Sequence, residues 1–125
     1  MKIDVSLGEL VDKLSILAIK LYKITDGKKQ ANIRKEYELL KSEMAAAGIT
    51  EDSPEYEGLY RVNQSLWDIE DRIRIKESEK AFDDEFVELA RSVYFNNDQR
   101  AAIKREINIK YGSDLVEEKS YAPYT

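Results

Sequence analysis

The sequence contains no cysteine and no histidine, and only two prolines and five glycines in 125 residues. The first two absences exclude disulfides, thiol nucleophiles, Cys-His and Ser-His-Asp relays, the usual zinc sites and the Glu-x-x-His helices of di-iron proteins. No Gly-rich phosphate loop is present either. What stays open is carboxylate, lysine, arginine and tyrosine chemistry, or no chemistry at all. The start, Met1-Lys2-Ile3-Asp4-Val5, lacks a basic leader followed by an unbroken apolar core, and charge interrupts every apolar stretch. Neither a signal peptide nor a membrane span is expected, and cytoplasm is the expected location.

What is there suits one soluble domain over residues 1–125. Apolar residues make up 42% and charged residues 36%, enough for a core that needs no disulfide or metal. The net charge of −5 disfavours a surface built for nucleic acid or anionic membrane, so neither is an expected partner. No repeat, linker or low-complexity tract divides the chain.

Helical patterns fill the spaces between turn signals, and about five helices are expected. Ser6 and Glu9 read as a capping box. Leu7, Leu10, Leu14, Leu17, Leu21 and Ile24 then follow at three-four spacing. Ile16 and Ile19 fall on the far side of this first helix, so something must cover a second face. A second helix, from about Lys28 to Ala47, carries Ile33, Tyr37, Leu40 and Met44, with Gly48 placed to end it in a left-handed conformation. Ser53-Pro54 opens a third helix running to about Lys80, roughly 40 Å long at 1.5 Å per residue. Leu59, Val62, Leu66, Ile69 and Ile73 form its core seam. A fourth helix starts near Asp83 or Asp84 and carries Phe86, Leu89, Ala90 and Val93. Asn96-Asn97-Asp98 reads as a turn, with Asn97 capping a fifth helix that carries Ala101, Ile103 and Ile107. The tail, 113–125, has no period and is expected to be irregular and partly extended. The first and third helices are expected to be central in an antiparallel bundle.

Four constellations can carry function. Tyr60, Asn63, Trp67, Glu70 and Arg74 form a mixed aromatic and polar stripe beside the core seam. It reads either as a pocket wall or as a boundary strip with Glu70 and Arg74 paired in solvent. Glu9-x-x-Asp12, Asp68-x-x-Asp71 and Glu85-x-x-Glu88 place carboxylate pairs on single helix faces, the raw material of an Mg²⁺ site. With 25 acidic residues such pairs also arise by chance, and Glu85 and Glu88 suit a helix start without any metal. The segment from Asn97 to Glu106 has the outline of a helix-turn-helix second helix, with Arg100, Lys104 and Arg105 available for phosphates. A solvated face pairing those cations with nearby acids is the competing reading. The tail segment from Val116 to Tyr121 can fold back over the first helix or reach a neighbouring subunit, and either would cover Ile16 and Ile19.

Several strings are familiar as a set: Val5-Ser6-Leu7-Gly8-Glu9-Leu10-Val11-Asp12-Lys13-Leu14-Ser15-Ile16-Leu17, Leu66-Trp67-Asp68-Ile69-Glu70-Asp71-Arg72-Ile73-Arg74, Leu89-Ala90-Arg91-Ser92-Val93-Tyr94 through Asn97-Asp98, Arg100-Ala101 and Lys104, and Val116-Glu117-Glu118-Lys119-Ser120-Tyr121. Over nearly the whole chain they resemble a small all-helical family of bacterial and phage proteins with no assigned activity, some encoded near surface-polysaccharide glycosyltransferases. The resemblance implies a complete protein of that type and brings no catalytic residue with it. The binding candidates are therefore Trp67, Glu70, Arg74, Arg91, Tyr94, Arg100 and Lys104. The leading expectation is a non-enzymatic interaction or accessory protein, homodimeric, with a protein partner and no cofactor or metal. The alternative is an all-helical Mg²⁺-dependent nucleotide pyrophosphohydrolase using Glu9, Asp12, Glu70 and Asp71.

Overall fold

Four side chains set the helix starts. Ser6, Asp26, Ser53 and Asp83 have extended backbones, and each accepts the backbone N–H three residues on, from Glu9, Lys29, Tyr56 and Phe86. The structure, a computed structural model, describes residues 1–124. It contains α1 (Leu7–Lys23), α2 (Gly27–Ala46), α3 (Pro54–Ser78) and α4 (Asp84–Lys110). Gly48 ends α2 at φ 79°, in the left-handed conformation expected of it.

The chain is all-α, with four helices where five are expected, because the fourth and fifth are one. α4 runs unbroken through Asn96-Asn97-Asp98. Asn96 turns its amide back onto the Ser92 carbonyl at 2.8 Å, which satisfies it inside the helix. Packing of α4 against α1 and α3 outweighs the weak turn preference of asparagine. With no turn there, the helix-turn-helix outline disappears.

α1 packs against all three other helices, whereas α2 packs on α1, and α3 on α1 and α4. The central position therefore belongs to α1 alone rather than to α1 and α3 together. This also explains its second apolar face: Ile19 is buried and Ile16 half-buried because three helices surround α1. The tail meets the start of α1, where Ser113 accepts the Leu7 N–H at 3.0 Å and Glu117 accepts the Ser6 hydroxyl, and then lies along α4, where Glu117, Glu118 and Tyr124 find partners, leaving Ile16 and Ile19 to the helices. Val11, Leu14, Met44, Ile49, Tyr56, Leu59 and Ile107 form the buried cluster, each large aliphatic one contributing about 1.5–3 kcal/mol.

Gly8 lets α1 and α4 touch. A Cβ there would overlap the Lys104 carbonyl and come within 3.0 Å of Asn108 Oδ1, which accepts the Gly8 N–H at 2.7 Å. From that contact α1 and α4 run antiparallel, and Asp12 lies opposite Arg100. At the other end Lys23 pairs with Asp68 at 3.7 Å. Residues 69–78 of α3 and the start of α4 therefore continue past α1 as a two-helix overhang, about 15 Å long at 1.5 Å per residue.

Candidate functional site

Where α1, α3 and α4 meet, the packing is polar. Asp12, Ser15, Asn63 and Asn108 are 5% exposed or less, and Lys104 is 9% exposed. Asn63 donates its amide to Asp12 Oδ1 at 2.8 Å and to Ser15 Oγ at 2.9 Å, while Ser15 donates to the Asp12 carbonyl at 2.7 Å. Arg100 donates from Nη1 to Asn63 Oδ1 at 3.3 Å, and its Nε lies 4.0 Å from Asp12 Oδ1. One turn further along α4, Lys104 pairs with Glu9 at 2.6 Å and with Glu117 of the tail at 3.5 Å. Glu117 also accepts the Ser6 hydroxyl at 3.4 Å. Buried polar groups are tolerable only when satisfied like this, and the cluster fixes the register of three helices and the tail.

The electrostatics follow the geometry. Burial alone would raise the Glu9 carboxyl, but Lys104, with Glu117 and Arg100 beside it, holds it below the usual carboxylate value. Burial pushes Lys104 down, and Glu9, Asp12 and Glu117 more than reverse this and hold it above the ordinary lysine value. The capping box is thus half formed: Ser6 accepts the Glu9 N–H, and the Glu9 carboxylate turns to Lys104 instead of back to the helix start.

The structure brings Glu9, Asp12, Arg100 and Lys104 together and leaves the other candidates outside. Glu70 and Arg74 form a solvent-exposed pair at 2.8 Å, and Trp67 is half-buried on the same stripe. Arg91 pairs with Glu88 at 3.0 Å and lies 5.7 Å from the Phe95 ring centre. Tyr94 packs against Phe95 and Tyr124. The carboxylates of the hydrolase alternative do not converge, since Glu9 and Asp12 face cations and amides while Glu70 and Asp71 are exposed on α3. Among the described residues no three acidic side chains are placed to hold a metal ion. Arg105, the third cation of the phosphate-binding reading, pairs with Glu118 at 2.9 Å.

Sequence reasoning placed Asn63 on a helix stripe but missed it as the hub, and it missed Ser15 and Asn108. The available signal was their position: all three are polar at the spacing of a core face. A second surface lies on the overhang. Arg72 pairs there with Glu85 at 2.7 Å and Lys76 with Asp83 and Glu85 at 2.8 and 3.2 Å, while Asp71, Glu77, Glu79 and Asp84 have no cation partner among the described residues. Between them Ile75, Phe82 and Val87 are 48%, 57% and 50% exposed, and Ile69, Ile73 and Phe86 are only half-buried. No helix among the described residues is long and apolar enough to cross a membrane. No curated protein and no solved structure matches the chain. The sequence profile of a family of unknown function, DUF6165, matches residues 1–124, and the chain belongs to that family.

Proposed function

We propose that the chain is a non-enzymatic helical interaction protein that acts as a homodimer, with the α3–α4 overhang as the contact between copies. The carrying observation is the group of open apolar side chains on that overhang, Ile75, Phe82 and Val87. Two helices alone leave Ile69, Ile73 and Phe86 incompletely covered, and a second hairpin related by a two-fold axis would complete a four-helix cross-section. The dimer would leave α2, whose only buried side chain is Met44, free for a protein partner.

Sedimentation equilibrium on the intact chain tests this. The expected mass is twice the 14.5 kDa of one chain. Ile75→Asp with Phe82→Asp, at exposed positions, is expected to return a folded monomer with unchanged helical circular dichroism. A single-chain mass up to millimolar concentration, or a dimer indifferent to the double substitution, overturns the reading.

A further inference from the structure

Between Glu118 and Tyr124 the tail is an arch over α4. One foot is Glu117 and Glu118, held by Lys104, Ser6 and Arg105. The other is Tyr124, whose hydroxyl donates to Asp98 at 2.7 Å and whose ring packs 5.1 Å from Tyr94 and 5.2 Å from Phe95, centre to centre. Residues 119–123 span the gap without filling it, and beneath them lies an open cleft of about 840 Å³. Its walls are Tyr94, Tyr121, Tyr124, Arg100, Lys119 and Asn97. That volume falls within the range of sites for small organic ligands.

The cations in this region are not equivalent. Lys104 is matched by Glu9 and Glu117, and Arg105 by Glu118. Lys119 has no carboxylate partner among the described residues, and its ammonium lies 5.8 Å from the Tyr121 ring centre. Arg100 is anchored from behind by Asn63 and Asp12 through Nη1 and Nε. A guanidinium carries five N–H donors, so these two contacts, at 3.3 and 4.0 Å, leave donors for the cleft. Asp98, the one carboxylate on the cleft wall, is engaged by the Tyr124 hydroxyl. The rest of the molecule is acidic, so a cleft wall on which Lys119 and Arg100, the latter also facing Asp12, outnumber the single carboxylate of Asp98 is a local exception to the net charge of −5.

We propose that the cleft under the arch binds a small anion that carries a planar ring, its phosphate or carboxylate gripped by Arg100 and Lys119 and its ring stacked on Tyr94 or Tyr121. The planar fork of an arginine favours a flat, bidentate anionic group, and tyrosine faces favour a ring over an aliphatic chain. The arch supplies Lys119 and Tyr121 and α4 supplies Arg100 and Tyr94, so binding would tie the tail to the helix. The site is separate from the overhang of the proposed dimer, and either reading can fail alone.

The test is isothermal titration of the intact chain with four probes: adenosine monophosphate, adenosine, benzoate and inorganic phosphate. The expected result is measurable binding of the nucleotide or of benzoate, stronger than that of adenosine or phosphate alone. The nucleotide and benzoate arms distinguish a phosphate from a carboxylate as the preferred anionic group. Lys119→Gln and Tyr121→Ala change exposed side chains on the arch, leave the helices intact, and are each expected to weaken binding about tenfold. Arg100→Gln is expected to abolish it. The melting temperature and helical circular dichroism of the arch variants serve as folding controls. Absence of binding by all four probes at millimolar concentration overturns the proposal. So does affinity unaltered in both arch variants, or tighter binding of bare adenosine than of its phosphate.

Discussion

The two ends of this molecule are built from similar helices and held by different physics. At the base, where α1 lies among its neighbours, Val11, Leu14, Leu59 and Ile107 are fully excluded from water and a satisfied polar cluster sets the register. At the overhang α3 and α4 have only each other, their apolar seam is half-covered, and the ion pairs that tie them are the exposed Arg72–Glu85 pair, which solvent screens, and those of the buried Lys76 with Asp83 and Glu85. A helix hairpin with so little burial is the region expected to open first, and also the region with surface to spare for another molecule.

The largest contrast should come from truncating apolar side chains. Leu59→Ala at the base is expected to cost about 2–5 kcal/mol in chemical denaturation, whereas Ile75→Ala on the overhang, measured on dilute chain, should cost less than about 0.5 kcal/mol. Equal losses would erase the distinction between the ends. Next is Asp12→Ala, which strips Asn63 of an acceptor and Arg100 of its counter-ion and should cost about 2–3 kcal/mol. A loss near zero would mean that apolar packing alone fixes the three-helix register.

Acid should loosen the base through Glu9. Its folded-state carboxyl is held below the ordinary value of 4.5, so the stabilisation it provides is present above that value and fades as pH falls through the lowered one. Melting temperature followed from about pH 5 to about pH 3 should therefore fall more steeply for the native chain than for Glu9→Gln. Parallel slopes would remove Glu9 from the account. The smallest effect concerns the end of α3, where Lys80 has φ 56° and the Ala81 and Lys80 N–H groups close the helix onto the Lys76 and Glu77 carbonyls. Glycine fits this left-handed position without the Cβ penalty, so Lys80→Gly should stabilise the overhang by about 1 kcal/mol and slow hydrogen exchange there first.

Much of the helical framework was legible because its signals are local. Ser6, Ser53-Pro54, Asp83 and Gly48 act within a turn of their own positions, and three-four apolar spacing reports one helix face whatever lies opposite. The acidic balance and the lack of histidine and cysteine likewise required no partner to interpret. The sequence alone therefore determined an all-α chain, most of its helix starts, and the chemistry closed to it. Tertiary structure decided the rest. Asn96-Asn97 looks like a turn until α4 packs as one helix against α1 and α3, and Asp12 looks like half of a metal-binding pair until Asn63 and Arg100 arrive from residues far along the chain. Glu70 and Arg74 have the same spacing whether they line a pocket or face water, and only the path of α3 past the end of α1 put them in water. Whether a polar side chain is a hub or a solvated group depends on which helix packs against it, a non-local fact that periodicity within one helix does not encode.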